Sequence, residues 1–162
     1  MVHFGEMLKF MREENVTKNI LQWLQANNWK IICFDFPQSG TGVLLHLNSS
    51  NRTEKNKGGI IPDIIAVKNG VALFFENKDR FYQPDFDKLF EIKTELNYTD
   101  SLDLLLSDQN VTSILYGVGV SDIKTEIERC KLNLGKIDFL ISTNKLKDIM
   151  VLYDNTGIFA NT

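Results

Sequence analysis

Asn69-Gly70 stands between two runs of β-prone residues, Ile-Ile-Pro-Asp-Ile-Ile-Ala-Val before it and Val-Ala-Leu-Phe-Phe-Glu-Asn-Lys after it. Asn-Gly readily supplies the two positive φ angles of a type I′ turn, so residues 60–78 are predicted to form a β-hairpin. Both faces of this hairpin are apolar near the turn. Ile65, Val67, Ala72 and Phe74 share one face, and Ile64, Ala66, Leu73 and Phe75 share the other. A hairpin with two apolar faces belongs inside a sheet covered by helices on both sides, which points to the α/β class.

The flanking segments agree with that class. Residues 5–28 carry Met7, Phe10, Met11, Ile20, Leu21, Trp23 and Leu24 at helical spacing and end in Asn27-Asn28. Residues 29–36 read as a strand stopped by Pro37, and Val43–Leu47 as a short strand. Helices are predicted over 84–97 and 100–108, and a strand over 111–120. A helix opening at Ser121 carries Ile123, Ile127, Cys130 and Leu134, and strands follow at 137–142 and 149–153. The expectation is an α/β domain with a mixed central sheet of about five strands flanked by helices. No repeat and no Pro- or Gly-rich linker interrupts residues 1–162, so they are taken as a single domain. Trp23 and Trp29 are expected in the core.

Composition narrows the function classes. At 162 residues the chain can bury a core without disulfide or metal staples. Hydrophobic residues at 43% and charged residues at 24% exclude a disordered chain. No apolar run approaches the roughly 20 residues of a membrane span, and the first residues lack the basic and apolar stretches of a secretory signal. Cys33 and Cys130 fit no CxxC pattern and suit a reduced, cytoplasmic protein. Net charge is −3, from 18 Lys+Arg against 21 Asp+Glu, which argues against a protein whose main task is to coat nucleic acid.

The hairpin register carries the chemistry. With Asn69 and Gly70 in the turn, Lys68 faces Val71, and Asp63 falls directly opposite Glu76 on the same face. Lys78 lies two residues beyond Glu76 and points the same way. Two carboxylates opposed in a sheet repel each other, and a divalent cation with oxygen ligands beside an ammonium would compensate. Pro62 offers no N–H to a ladder and so places Asp63 at the strand's start, at the open end of the hairpin. His3 and His46 are too few and too far apart for a histidine-bound metal. Asp85 and Asp87 after Pro84 read as helix N-terminal acids favoured by the dipole.

Pro62-Asp63, a twelve-residue spacer and Glu76-Asn77-Lys78 resemble the signature of the PD-(D/E)XK nuclease superfamily, restriction endonuclease-like enzymes. The resemblance covers roughly residues 5–120 and implies a restriction endonuclease-like core. It implies that Asp63 and Glu76 hold Mg²⁺, with the Asn77 carbonyl joining them and Mn²⁺ able to substitute. It implies that Lys78 orients or activates the attacking water and stabilises the pentavalent phosphate. Many members add a Glu from the first helix. Glu13 and Glu14 are the candidates, and Glu14, seven residues before Leu21, is placed in the catalytic set with Asp63, Glu76 and Lys78.

Within that resemblance the expectation is a type II restriction endonuclease, a cytoplasmic homodimer that cuts double-stranded DNA at a specific sequence. Ser39, Asn48, Asn51, Arg52, Lys55 and Lys57, in the irregular segment 38–59, have the chemistry for DNA contacts. Phe36-Pro-Gln-Ser-Gly40 is similar to a loop of archaeal-type Holliday junction resolvases, in which Ser39 would assist catalysis. A non-catalytic DNA-binding or partner-dependent subunit on the same fold is the third reading.

Overall fold

The computed structural model describes residues 11–36, 41–49 and 58–160. In chain order the elements are α1 (Glu13–Ala26), β1 (Lys30–Phe34), β2 (Ile64–Lys68), β3 (Val71–Lys78), α2 (Gln83–Glu95), α3 (Thr99–Leu105), β4 (Ser113–Ser121), α4 (Lys124–Lys131), a 3₁₀ turn (Leu134–Lys136), β5 (Phe139–Thr143) and β6 (Ile149–Asp154). The six strands form one sheet in the order β1-β2-β3-β4-β5-β6. β3, β4 and β5 run parallel, while β1/β2, β2/β3 and β5/β6 are antiparallel. The sheet is therefore mixed, as expected, with six strands rather than about five.

The hairpin forms as its dipeptide requires. Asn69 (φ 50°) and Gly70 (φ 81°) both take positive φ, and Lys68 pairs with Val71. The two apolar faces become two cores. Ile64, Ala66, Leu73 and Phe75 pack with Val16, Ile20 and Leu24 of α1. Ile65, Val67, Ala72 and Phe74 pack with Phe86, Leu89 and Ile92 of α2, Leu102 of α3 and Ile127 and Cys130 of α4. Trp29 is buried, and Trp23 and Trp29 both stack on Phe159 at ring separations of 5.4 and 6.0 Å. Burial pushes the thiols of Cys33 and Cys130 up to about 11 and about 12, which suits inert core residues.

Three local expectations change. Val43–Leu47 makes only one bridge, Leu45 to Ile60, so no seventh strand forms there among the described residues. Ser121 ends β4 instead of opening a helix, because Asp122 N donates to Thr143 O (2.7 Å) and prolongs the pairing with β5. The first helix is described from Glu13 onward; the part expected over residues 5–10 lies outside the described residues. Among the described residues no helix is long and apolar enough to cross a membrane.

The parallel run has a functional consequence. β3, β4 and β5 end at the same edge of the sheet, where β2 begins. In open α/β sheets, the carboxyl ends of parallel strands are where ligands bind.

Candidate functional site

Asp63 precedes β2 and Glu76 and Lys78 close β3, so the turn between the two strands brings all three to one end of the sheet. The ladder keeps the expected register as far as Ile64 opposite Phe75. It breaks at Asp63, because Pro62 has no N–H to continue it. Asp63 N instead donates to Phe75 O (3.1 Å), and Asp63 O accepts from Asp35 N (2.9 Å). The Asp63 side chain turns back, and its Oδ2 accepts from Asn77 N at 2.7 Å. Asp63 is thus fixed by a hydrogen bond to the residue beside Glu76 rather than by a simple cross-strand pair.

Glu76 is only 3% exposed and sits on the α2 face of β3 with Lys88 of α2, whose Nζ lies 2.8 Å from Glu76 Oε1. That contact is a close ion pair without hydrogen-bond alignment, and Oε1 has no hydrogen-bond partner. Burial first, and the neighbouring Asp63 second, hold the Glu76 carboxyl above the usual carboxylate range, against the pull of Lys88. Burial likewise raises Asp63, opposed by the Asn77 N–H and by Lys78. These are two acids that the fold disfavours as a bare pair of anions.

Lys78 has the opposite bias. Its Nζ lies 3.2 Å from Glu13 Oε1 and 3.1 Å from Asp85 Oδ2. Burial works against its charge, yet Asp85, Glu13 and Asp63 together outweigh that, and the ammonium is held above its ordinary range. Lys78 is therefore held as a cation by its acidic neighbours. Its Nζ also lies 5.3 Å from the Tyr82 ring centroid.

On the other face of β3, Asn77 is fully buried and its Nδ2 donates to Thr17 Oγ1 of α1 (3.1 Å). This bond sets the N-terminal half of α1 against the end of β3 and brings Glu13 to Lys78. Gly119 on β4 makes the arrangement possible, since a Cβ there would overlap Asn77 Oδ1 and Ile20 Cδ1.

The structure brings together Asp63, Glu76, Asn77 and Lys78. It puts Glu13, not Glu14, on Lys78, and Glu14 is half-buried on the adjoining part of the helix. Glu13, Thr17, Ile20 and Leu24 form one stripe at spacings of four, three and four, in phase with the fully buried residues. Glu14 is in phase with Leu21, which is only half-buried. Asp85 stands in the first turn of α2, as expected of a helix-terminal acid, and it is also 4% exposed and paired with Lys78. Its spacing of four to Leu89 and seven to Ile92, both buried, is the signal that marks it as inward-facing. Lys88 is a further member, three residues after Asp85 and four before the buried Ile92, and so on the same side of the helix.

The DNA-contact residues fare differently. Asn48 is committed within the fold: its Nδ2 donates to Leu96 O (3.1 Å) and Thr99 Oγ1 (3.0 Å), and its Oδ1 accepts from Asp100 N (3.0 Å). It fastens the loop to the start of α3, so its amide is engaged within the fold. Ser39, Asn51, Arg52, Lys55 and Lys57 lie outside the described residues.

Among the described residues no group of three His, Cys, Asp or Glu side chains stands in a metal-holding arrangement. The Mg²⁺ that the resemblance implies can be tested against the donors present. Two carboxylates and a backbone carbonyl are hard oxygen ligands of the kind Mg²⁺ takes, and one or two carboxylates suffice when water and phosphate complete the shell. Burial raises both acids, and Lys88 offsets only part of the charge at Glu76, so a further cation between the two carboxylates would favour their ionised forms. The residues fit the ion by this chemistry.

Neither protein-family models nor curated proteins give a match to the chain. Among solved structures, an XisH family protein from Nostoc punctiforme PCC 73102 is similar over 83% of this chain and 95% of its own, at 11% identity and a TM-score of 0.38. A score of that size does not establish a shared fold.

Proposed function

We propose that the chain is a Mg²⁺-dependent endonuclease that hydrolyses phosphodiester bonds of DNA, with Mn²⁺ able to substitute. The observation that carries this reading is the convergence of Asp63, Glu76 and the firmly protonated Lys78 at the open end of one hairpin. The setting of that hairpin supports it: a preceding helix and strand, a following helix, and parallel strands ending at the same edge, in keeping with the restriction endonuclease-like core that the motif implies.

Asp63, Glu76 and the Asn77 carbonyl would hold the ion. When bound, Mg²⁺ supplies Lewis-acid polarisation of the phosphate and a lowered pKa for attacking water. In the hydrolysis, a water oxygen bonds to phosphorus, the P–O bond to the leaving oxygen breaks, and that oxygen gains a proton. Lys78 presents ammonium donors to the phosphoryl oxygens as negative charge builds on them. Glu13 and Asp85 hold that ammonium in place and charged, so little reorganisation is needed at the moment of reaction. Asn77 holds Asp63 through its N–H and ties β3 to α1 through its amide.

Within this reading the chain acts as a homodimeric type II restriction endonuclease, because one site per chain cutting both strands calls for a two-fold pair. Net charge −3 favours sequence-selective cutting over a junction resolvase, whose affinity rests on a broad basic surface. Two digests test this, one of linear plasmid and one of a synthetic four-way junction, each with Mg²⁺. Discrete plasmid fragments with an intact junction are expected. Symmetric cutting of the junction alone would favour the resolvase and make Ser39 a catalytic candidate, and no cutting of either would favour the partner-dependent subunit.

A further inference from the structure

A second site lies on the neighbouring side of α1. Met11, Arg12, Asn15 and Asn19 face Lys145 and Lys147 across a groove of about 440 Å³. Arg12, Asn15, Lys145 and Lys147 are exposed, and the described residues lining the groove include three cations and no carboxylate. In a chain of net charge −3, three cations from segments more than 130 positions apart meet at one place.

The groove is a built feature. Asn19, 7% exposed, donates from Nδ2 to Thr143 Oγ1 (3.0 Å) and to Asn144 O (3.0 Å), which clamps the β5–β6 turn onto α1. Within the turn, Asn144 Oδ1 accepts from Leu146 N (2.9 Å) and Asp148 N (3.2 Å), and Asn144 Nδ2 donates to Asp148 Oδ2 (3.1 Å). Asp148, the acid next to Lys147, is thereby held within the turn. Lys147 takes φ 67°, a left-handed conformation uncommon for a lysine, and the turn holds it there. The two lysines are therefore presented by an ordered support.

Its position relates it to the carboxylates. Residues 12, 15 and 19 lie about two-fifths of a turn around α1 from Glu13 and Thr17, which face Lys78 and Asn77. The groove and the candidate catalytic end of β3 thus lie on different sides of α1, and a helix with its side chains is about 10 Å across. A DNA strand advances about 3.4 Å per nucleotide along the duplex axis, so a segment of a few nucleotides could reach both sites. Arg12 offers the planar fork that suits phosphate, and the lysines offer point charges.

We propose that this groove binds the sugar–phosphate backbone of duplex DNA beside the scissile position, with Arg12, Lys145 and Lys147 as the phosphate contacts. The position relative to the scissile bond rests on the nuclease reading above, whereas the binding itself does not. Backbone contacts of this kind fix register and orientation and carry no sequence information.

The test is fluorescence anisotropy of a labelled duplex with EDTA present, across a salt series, for the wild type, Lys145→Gln/Lys147→Gln and Lys131→Gln. Lys131 is an exposed lysine of α4, on the other face of the sheet. The double variant should bind about tenfold more weakly in low salt, with the slope of log affinity against log salt shallower by about 2, roughly one for each lost contact. Lys131→Gln should match the wild type. Unchanged affinity and slope in the double variant would overturn the proposal, and so would a wild type that does not bind the duplex in low salt. Displacement of the duplex by inorganic phosphate at matched ionic strength would make this a small-anion site and overturn it as well. A wild type that binds DNA with the expected slope but never cleaves it with Mg²⁺ would leave the groove standing and remove the nuclease reading.

Discussion

Lys88 Nζ lies 2.8 Å from Glu76 Oε1, so a cation from α2 already stands against the carboxylate proposed to hold the metal. Lys88 comes from the helix that follows the hairpin, and it offsets part of the cost of burying Glu76 next to Asp63. Removing one partner of a buried pair is costly because it leaves the other uncompensated. Here the cost is limited, since Glu76 can take up a proton. Lys88→Met should lower the stability of the metal-free protein by about 1–3 kcal/mol near pH 8. Mg²⁺ should restore much of that loss, because the ion supplies the missing positive charge. Urea unfolding with and without Mg²⁺ measures both, and a variant as stable as wild type without metal would contradict this role for Lys88.

The raised carboxyls predict a pH dependence with a definite sign. A carboxyl whose folded pKa exceeds its unfolded value stabilises the fold while protonated. That contribution is complete below the unfolded value of about 4 and is lost as pH rises through the folded value. Burial puts both Asp63 and Glu76 in this class. Without metal, the melting temperature of the wild type should fall from about pH 5 toward neutrality relative to that of Glu76→Gln, whose residue 76 cannot ionise. Thermal scans of the two proteins in EDTA across that range check the difference. A wild type that gains stability relative to the variant as pH rises would show that the site does not disfavour its anions.

Glu13 and Glu14 are adjacent in sequence and differ sharply in place. Glu13 holds Lys78, so Glu13→Gln should loosen the ammonium and lower kcat about tenfold, about 1.4 kcal/mol, with little change in KM. Glu14→Gln should stay within about twofold of wild type. Lys78→Ala should reduce turnover far more than DNA affinity, because the cation acts on charge that develops in the transition state. Steady-state kinetics on a single-site duplex separate these effects. Equal losses in Glu13→Gln and Glu14→Gln would mean that the Lys78 ion pair does not set the rate.

The hairpin was legible in the sequence because Asn69-Gly70 specifies turn type and register locally, and the alternating residues then assign both faces. The limit came at Pro62, where the missing N–H ends the ladder and sends the Asp63 carboxylate to Asn77 N, a detail that strand pairing cannot anticipate. Glu13 could have been preferred to Glu14 by following the Thr17–Ile20–Leu24 stripe instead of the single step to Leu21. Asp85 carried a similar phase signal, hidden by its place in the first turn of a helix, where an acid already has a local explanation. Lys88 carried the same phase signal as Asp85, but its partner Glu76, like the Asp100 partner of Asn48, is set by how α2 and α3 dock, which is a tertiary matter. The groove between α1 and the β5–β6 turn was hidden for the same reason, because Arg12 and Lys145 meet only in the folded chain.

Asp63 and Glu76 are proposed to hold the ion on which DNA hydrolysis depends. The most direct measurement is digestion of plasmid DNA by the wild type, Asp63→Asn and Glu76→Gln, purified in parallel and assayed with Mg²⁺ and with EDTA. Cleavage is expected from the wild type in Mg²⁺ alone and from neither variant, with circular dichroism showing all three folded. Mg²⁺-dependent cleavage retained by Asp63→Asn or by Glu76→Gln would contradict that role.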